Sequence, residues 1–497
     1  MIINSIDYLK FNHLILCIVV GSNLFIPAVF AVNNQLSNEI SLHNDYQYRL
    51  ITRQLTTNPN QSFSDNVRPL AERELALINF KPVTSRNYAL VGLAKFQPVQ
   101  DVRLQAIHNN ESNTLVNSNY GEKFAGNNNG TLNISGDSSI NELILLSHDA
   151  RIQYDQSSSK LSLYRFRLKT AFSHISVSYA KDSLLLGPGY FGNLFTSDNV
   201  QPYQIALFKT EIPYVVPVLG SFRWYLWHSW FNNDEPRLPD TKMLGIRLSL
   251  KPNKLVEFGL TRTSTYGGNG QNINSFTKLS SVITAKDENA STDINTDQLV
   301  GMDAALYLPF LRKASPFLGG KLYTEYVWND IVAFWQTEDR DDSRLFELLG
   351  KSYLYGIYLT TGKLDFHFEY INTAGALYAH STLGSTGSSV NGYLIGHFIG
   401  RDASAYLSEI YYEWNRQIHV SVNMGRIKRL QRPSNNQYST IYGLGIKYFY
   451  SQKIQMELKT NYIFTNKKDI DPSPIYYNFI NDSRTDWQSI VNITYRL

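Results

Sequence analysis

The chain has 497 residues, of which 13% are aromatic, including 33 Tyr and 26 Phe, and only 18% are charged. Soluble domains carry about a quarter charged residues, so this is a tyrosine-rich, charge-poor chain, a profile that soluble all-β proteins share with outer-membrane barrels. The formal net charge of +4 is small for this length and gives no electrostatic case for a nucleic-acid partner.

At the start, Lys10 and His13 precede an apolar run from Leu14 to Ala31, and Val29-Phe30-Ala31 puts small residues where a signal peptidase reads. The expectation is a signal peptide over residues 1–31, cleaved after Ala31; an uncleaved anchor is the alternative. The sole cysteine, Cys17, lies within this run, so the mature chain is expected to carry no disulfide and no thiol chemistry. Beyond Ala31 no apolar run reaches the roughly 18 residues that a spanning helix needs. If the mature chain resides in a membrane, it must do so as a closed barrel, the other fold that satisfies every backbone group in lipid.

Residues 32–85 read as a small, mainly helical periplasmic region. "NEISLHNDYQYRLITRQL" and "VRPLAERELALIN" space their apolar residues helically, Arg68-Pro69 suits a helix start, and "TTNPNQSFSDN" between them reads as a loop. From about Arg86 the period changes to two, and residues 86–497 read as the barrel. In "LDFHFEY", Leu364, Phe366, Phe368 and Tyr370 alternate with Asp365, His367 and Glu369; "LYRFRLK" sets Arg165, Arg167 and Lys169 on one side. Repetition of an apolar and a charged face over some 400 residues is what lipid outside and a wet lumen inside demand. The connections alternate too: tight turns at 251–254, 361–363, 415–416 and 451–453, against long polar loops at 267–300, 329–351, 372–404, 427–439 and 465–488. Short turns on one rim and long loops outside the cell are the layout of outer-membrane barrels. "IVNITYRL" closes the chain on a strand with Val491, Ile493, Tyr495 and Leu497 on one face, and about sixteen strands are clear by direct count.

Within the barrel, Gly187-Pro188-Gly189-Tyr190-Phe191-Gly192 fits the dinucleotide pattern G-x-G-x-x-G. Such a loop must open a helix, whereas "NLFTSDNVQP" follows, rich in turn formers, and Pro188 removes a backbone donor. No cofactor is expected; the reading is a glycine-hinged outer loop with Tyr190 and Phe191 at its tip. "RWYLWHSW" places Trp224, Trp227 and Trp230 in one strand, as girdle or packing residues. "TEDRDDSR" at 337–344 lacks the spacing and glycine of a calcium loop, and no metal is expected. Asp365, His367 and Glu369 could suggest acid–base work, but a wet lumen needs such charges anyway. No G-x-S-x-G or metal-ligand spacing is present, so no enzyme activity is expected.

The series "GPGYFGNLFTSDNVQP", "PVLGSFRWYLWHSW" and "PRLPDTKMLGIRLSLKPNKLVEFGLTRTSTYGGNGQ", with "GYLIGHFIGRDA" downstream, resembles in order and spacing the capsule assembly Wzi family. The match is firm from about Leu184 to Gln271 and fair to about Ala403. The family's tryptophan pair before G-P-G is Leu185-Leu186 here, and its W-G-G is Tyr266-Gly267-Gly268. The resemblance implies an all-β outer-membrane barrel of about eighteen antiparallel strands with a small N-terminal helical periplasmic region. It implies a non-enzymatic lectin that helps retain capsular polysaccharide on a Gram-negative cell.

Sugar rings pack their C–H faces on aromatic rings, and their hydroxyls need amide, carboxylate and guanidinium partners. The presumed outer loops supply both in Tyr190, Phe191, Asn193, Asp198, Tyr266, Asn269, Gln271, Tyr378, His380, Tyr393 and Arg401, the candidate polysaccharide-binding residues. The expected partners are surface polysaccharide and outer-membrane lipid or lipopolysaccharide, with the barrel itself a monomer. The alternative is a porin, in which Arg165, Arg167, Lys169, Arg247 and Lys447 favour small anions.

Overall fold

The computed structural model describes residues 39–40, 42, 45–80, 89–91, 94–110, 124, 126–140, 144–155, 158–231, 241–267, 296–313, 315–333, 346–378, 389–390, 393–431, 435–467 and 483–497. Eighteen strands close one antiparallel barrel. They are β1 (Ala94–Asn109), β2 (Asn127–Ile140), β3 (Ile144–Tyr154), β4 (Ser159–Phe172), β5 (Ile175–Asp182) and β6 (Tyr203–Thr210). β7 (Gly220–Phe231), β8 (Thr241–Lys251), β9 (Val256–Tyr266), β10 (Asp297–Tyr307), β11 (Gly319–Trp328) and β12 (Ser352–Thr360) follow. β13 (Leu364–Thr373), β14 (Ala403–Glu413), β15 (Ile418–Gln431), β16 (Asn435–Phe449), β17 (Ile454–Lys467) and β18 (Arg484–Arg496) complete the wall. Each strand pairs with its sequence neighbour, and β18 closes on β1 from Gln488↔Asn109 to Arg496↔Asp101. Closure leaves no sheet edge, so every backbone donor can be met without water.

The period of two does what it promised. On β13, Asp365, His367 and Glu369 are buried inward while Phe368 is exposed. On β4, Arg165, Arg167 and Lys169 are inward and Leu168 is exposed. The outward apolar positions form the lipid-facing band. Tyrosines gather at its loop-side margin, where Tyr353, Tyr355, Tyr370 and Tyr406 approach one another ring to ring. Tyr412 and Trp414 mark the turn-side margin. The three tryptophans of β7 divide by parity: Trp227 is fully buried inward, while Trp224 and Trp230 are half-buried outward, against Phe208 and Tyr179 respectively.

Two expectations need correction. Residues 427–439 are not a long loop: the β15–β16 ladder continues through Ile427↔Ser439 to Gln431↔Asn435, because the alternation runs on through Ile427 and Arg429, both buried. The helical region is smaller than the sequence pattern implied and does not stand apart from the barrel. Helix α1 (Asp45–Thr57) and the short α2 (Glu72–Ala76) belong with residues 36–497 to one compact unit. Residues 45–80 fill the lumen at the short-turn rim, where Arg73 reaches the Ser173 carbonyl and Gln61 the Pro252 carbonyl. The cause is charge: α1 has a buried polar side as well as a buried apolar one, and the inward strand positions carry its counter-ions.

Candidate functional site

Arg49 and Arg53 lie one turn apart on α1, at the i, i+4 spacing that puts side chains on one face. Arg53 grips Asp365 with Nη2 at 2.8 Å and Nε at 3.2 Å, and Glu413 with Nη1 at 2.7 Å. Arg49 pairs with Glu409 and reaches the Tyr190 hydroxyl at 2.6 Å. The wall answers with cations on the plug: Lys321 Nζ binds Asp65 at 2.9 Å and Asn66 at 2.8 Å, and Lys251 Nζ donates to the Phe63 carbonyl at 2.8 Å. Glu39 sits among Arg167, Lys209 and Lys169, at 3.0, 3.0 and 3.5 Å.

Burial alone would raise the pKa values of Glu39 and Asp65. The surrounding cations outweigh it, Arg167, Lys209 and Lys169 for Glu39 and Lys321 and Arg68 for Asp65, and hold both carboxyls well below the usual range. Depressed folded pKa values mean that this stabilisation is full above the unfolded carboxylate value of about 4 and is lost as pH falls below it. Protease protection of residues 45–80 is therefore expected to hold at neutral pH and to weaken only below about pH 4, as limited proteolysis across a pH series would register.

The glycine-rich segment between β5 and β6 enters the same lumen. It was expected to be an outer loop displaying Tyr190 and Phe191 at its tip; instead it turns inward onto the plug. Gly187 has φ +130°, a backbone that side chains rarely adopt, and its N–H bonds to the Asn66 carbonyl at 2.9 Å. A Cβ on Gly189 would fall 2.0 Å from the Gly192 carbonyl oxygen, so these glycines serve a tight turn. Carboxylates from the wall then collect the freed donors. Glu369 accepts the Tyr190 and Phe191 N–H groups at 2.5 and 3.3 Å, and Glu325 accepts that of Leu194 at 2.9 Å. The Tyr190 ring stacks on His367, with centroids 3.6 Å apart, and its hydroxyl donates to Glu409 at 2.6 Å. The lumenal carboxylates are thus fasteners for a loop and a helix.

A second outer segment, residues 393–400, packs onto the first. Ser197 N–H bonds to the Ile395 carbonyl at 2.8 Å, and its hydroxyl donates to that of Gly396 at 2.6 Å. Tyr378 is fully buried between them, donating to the Leu194 carbonyl at 2.5 Å and accepting the His397 N–H at 3.0 Å. Burial pushes the His397 imidazole down to about 3, so it is neutral in this packing.

The candidate residues therefore separate. Tyr190, Phe191 and Asp198 line a cavity of about 290 Å³ between the plug and the wall of β1, β3 and β15–β18. Asn193 is buried, its side-chain oxygen accepting the Gly189 N–H at 2.8 Å. Tyr266 is buried at the end of β9 against His228, 2.6 Å away. Tyr393 is half-buried against the lumenal core and Arg401 is half-buried at the loop rim. Asn269, Gln271 and His380 lie outside the described residues, as does the acidic segment 337–344. The correction concerns exposure: Phe191, Asn193, Tyr266 and Tyr378 are interior because the loops fold into the barrel mouth, not away from it.

The same geometry answers the cations proposed for an anion-selective lumen. Arg167 and Arg165 pair with Asp182, Lys169 with Glu211, Arg247 with Asp303 and Lys447 with Glu457. Each of the five thus has a carboxylate no more than 3.4 Å away, with Arg165 and Arg167 sharing Asp182. Among the described residues, no group of three His, Cys, Asp or Glu could hold a metal ion.

The family model for the capsule assembly protein Wzi matches residues 99–471. The chain belongs to that family. As a Wzi-family barrel it is an outer-membrane protein of the Gram-negative type. Among solved structures it is similar to Wzi of Escherichia coli, an outer-membrane protein involved in group 1 capsule assembly and a carbohydrate-binding β-barrel. Identity is 14% and the TM-score 0.66, over 93% of this chain and 100% of that one. It is also similar to OccK3 (OpdO) of Pseudomonas aeruginosa, at 9% identity and TM-score 0.48 over 80% of this chain and 95% of that one. A third is OccAB2 of Acinetobacter baumannii, at 10% identity and TM-score 0.46 over 80% and 97%. No curated protein sequence matches the chain.

The sequence reading missed the plug: Arg49, which lines the cavity, and Arg53 and Asp65, which dock on the wall. The available signal was Arg49 and Arg53 at helical spacing beside inward acids such as Asp365 on the barrel strands. In this Wzi-family barrel, Asp365, Glu409 and Glu413 anchor the helix.

Proposed function

We propose that this barrel binds surface polysaccharide at its cell-exterior end and helps hold or assemble it there, acting as a binding protein and not as a hydrolase. The observation that carries this reading is the double closure of the lumen: α1 fills it from one side and the segments 183–202 and 393–400 fold into it from the other. A barrel built to pass solutes gains nothing from both. What remains is a polar cavity edged by Tyr190 and Phe191, the mixture of ring faces and hydrogen-bonding groups that sugars need. The carbohydrate binding of the Escherichia coli relative supports the same assignment. Tyr190, Phe191, Asp198, Tyr393 and Arg401, with Asn269, Gln271 and His380, are the proposed contacts; Asn193, Tyr266 and Tyr378 shape the loops that carry them.

Deleting the gene in a strain that makes surface polysaccharide is expected to lower the cell-bound fraction and raise the shed fraction. Unchanged retention together with no binding on a glycan array would sink the proposal. In planar bilayers the purified protein is expected to give little single-channel current; steady porin-like conductance would favour transport instead.

A further inference from the structure

The outer face of the barrel carries a basic group where the wall meets lipid. On β15, Ile427 and Arg429 are buried inward while Val422 and Met424 are exposed outward, so Arg426 and Lys428 share the lipid-facing parity. Arg426 pairs in register with Tyr406, and Lys428 with Tyr438. Their cationic groups lie 5.6 and 6.0 Å from the Tyr438 ring centroid. Lys351, just before β12, caps the other end of the same tyrosine margin, its Nζ 4.8 Å from the Tyr326 centroid and 5.8 Å from that of Tyr353. The shelf between the two ends is continuous, since Tyr355, Tyr370 and Tyr406 pair in turn across β12, β13 and β14. Among the described residues none of the three cations has a carboxylate partner. Asp402, just before β14, has Arg401 as the cation acting on it.

Their height is set by the strands. Arg426 and Lys428 lie eight and ten positions from Ile418, the turn-side end of β15, and Lys351 nine from Thr360, that of β12. A strand advancing about 3.3 Å per residue at a tilt of about 40° climbs roughly 2.5 Å per residue along the membrane normal. The three cations therefore stand roughly 20–25 Å above the turns, at the top of an apolar band about 25 Å tall. That is the headgroup level of the outer leaflet. Below them Phe368, Ile410, Val422 and Met424 present an exposed apolar face, which suits acyl chains. A guanidinium fork matches phosphate oxygens and an ammonium binds them as a point charge, while interfacial tyrosine hydroxyls can bond sugar hydroxyls. The two cationic ends are three strands apart, roughly 14 Å at about 4.8 Å per strand, which suits a broad headgroup with more than one phosphate over a single phosphodiester.

We propose that Arg426, Lys428 and Lys351 form a phosphate site on the outer wall, at which the barrel holds the phosphorylated glycolipid headgroup of lipopolysaccharide. The site is separate from the lumenal cavity and does not depend on the polysaccharide reading. In the test, the full-length barrel in detergent is mixed with bisphosphorylated lipid A, its dephosphorylated form or phosphatidylglycerol, and retained lipid is counted by native mass spectrometry. The bisphosphorylated lipid is expected to be retained about tenfold better than either of the others. Arg426→Gln combined with Lys428→Gln is expected to abolish that preference, with heat-modifiable migration and glycan binding as in the parent. Lys254→Gln combined with Lys453→Gln removes the same charge from exposed turn-side positions and is expected to keep the preference. A preference that survives the first pair, or is lost equally in the second, would overturn the site. Equal retention of the dephosphorylated lipid would overturn the role of phosphate, and equal retention of phosphatidylglycerol would overturn the glycolipid assignment. Excess inorganic phosphate is expected not to displace the lipid, since it lacks acyl chains; full displacement would reassign the group as a free-anion site and overturn the lipid assignment.

Discussion

An Asp365→Ala variant is expected to lose about 3–5 kcal/mol, the cost of leaving buried charge without its partner, and to leak current where the parent is closed. Asp365 is fully buried and gathers four contacts. Arg53 bonds it through two nitrogens, Tyr358 and Thr360 donate their hydroxyls at 2.9 and 2.7 Å, and Arg49 lies 3.7 Å away. Among the described residues it is the one wall carboxylate paired with both arginines of α1. Removing it leaves Arg53 held by Glu413 alone and deprives Arg49 of half its counter-charge. The barrel's own ladder does not pass through this side chain, so the loss falls on the docking of the plug. Asp365→Asn keeps acceptor capacity for the hydroxyls but not the charge, and should fall between. Heat-modifiable gel migration reports the first effect and planar-bilayer current the second. A variant as heat-stable and as closed as the parent would show that α1 is held by its apolar face and that the ion pairs are incidental.

The barrel was legible because its cause is periodic and local. Each strand meets lipid on one side and polar groups on the other, so Leu364 to Tyr370 or Arg165 to Lys169 states its own orientation. The same parity settles the tryptophans of β7: Trp224 and Trp227 are three positions apart, an odd step, so the two must face opposite ways. Where local signals were weak the reading blurred. The long β1–β3 region was poorly marked, since β2 is built from "NNNGTLNISGDSSI", with asparagine, serine and glycine in place of β-branched residues. Its inward positions face polar neighbours such as Asp149 and Arg151, so the pattern loses contrast without losing the strand.

The interior was hardly legible, for a different reason. Whether a loop turns outward or inward depends on partners hundreds of residues away, such as Glu369 and Glu409 for Tyr190, and no periodicity records them. Polar composition also misled: Asn193, Asp198 and Ser197 look like a solvated loop, yet Asn193 and Ser197 spend their polar atoms on backbone groups inside the barrel. The lumenal acids looked like solvation for a wet channel, yet Asp365, Glu409, Glu413, Glu369 and Glu325 are taken up by a helix and a loop that share no sequence pattern with them. A surplus of inward charge on barrel strands is better read as a sign that something charged is docked there.

The second large effect is expected at the centre of that docking. Tyr190→Ala combined with Phe191→Ala is expected to lower glycan affinity by about tenfold or more and to loosen segment 183–202, because the two rings hold the loop as well as edging the cavity. Tyr190 contributes the stack on His367 and a hydroxyl bridging Arg49 and Glu409; Phe191 packs edge-on to Tyr190 at 5.0 Å. Truncating a buried phenylalanine costs about 3–5 kcal/mol in well-packed sites, enough to loosen the loop tip. The tip's nearest remaining ties are backbone bonds to Glu369 and Glu325, while Gly187 and Ser197 stay tied to Asn66 and Ile395. Tyr190→Phe separates the two roles. It keeps the ring and its stack, and loses only hydroxyl bonds worth about 0.5–3 kcal/mol. If the ring is a sugar contact, Tyr190→Phe binds glycan nearly as well as the parent while the double variant does not. If both variants bind glycan as the parent does, yet the double variant conducts ions, the rings are structural pins and the sugar lies on the outer loops beyond them. Hydrogen exchange at residues 187–196, read beside the binding curves, tells a lost contact from a lost loop. Slow exchange with weak binding assigns Tyr190 and Phe191 to the ligand, and fast exchange assigns them to the plug.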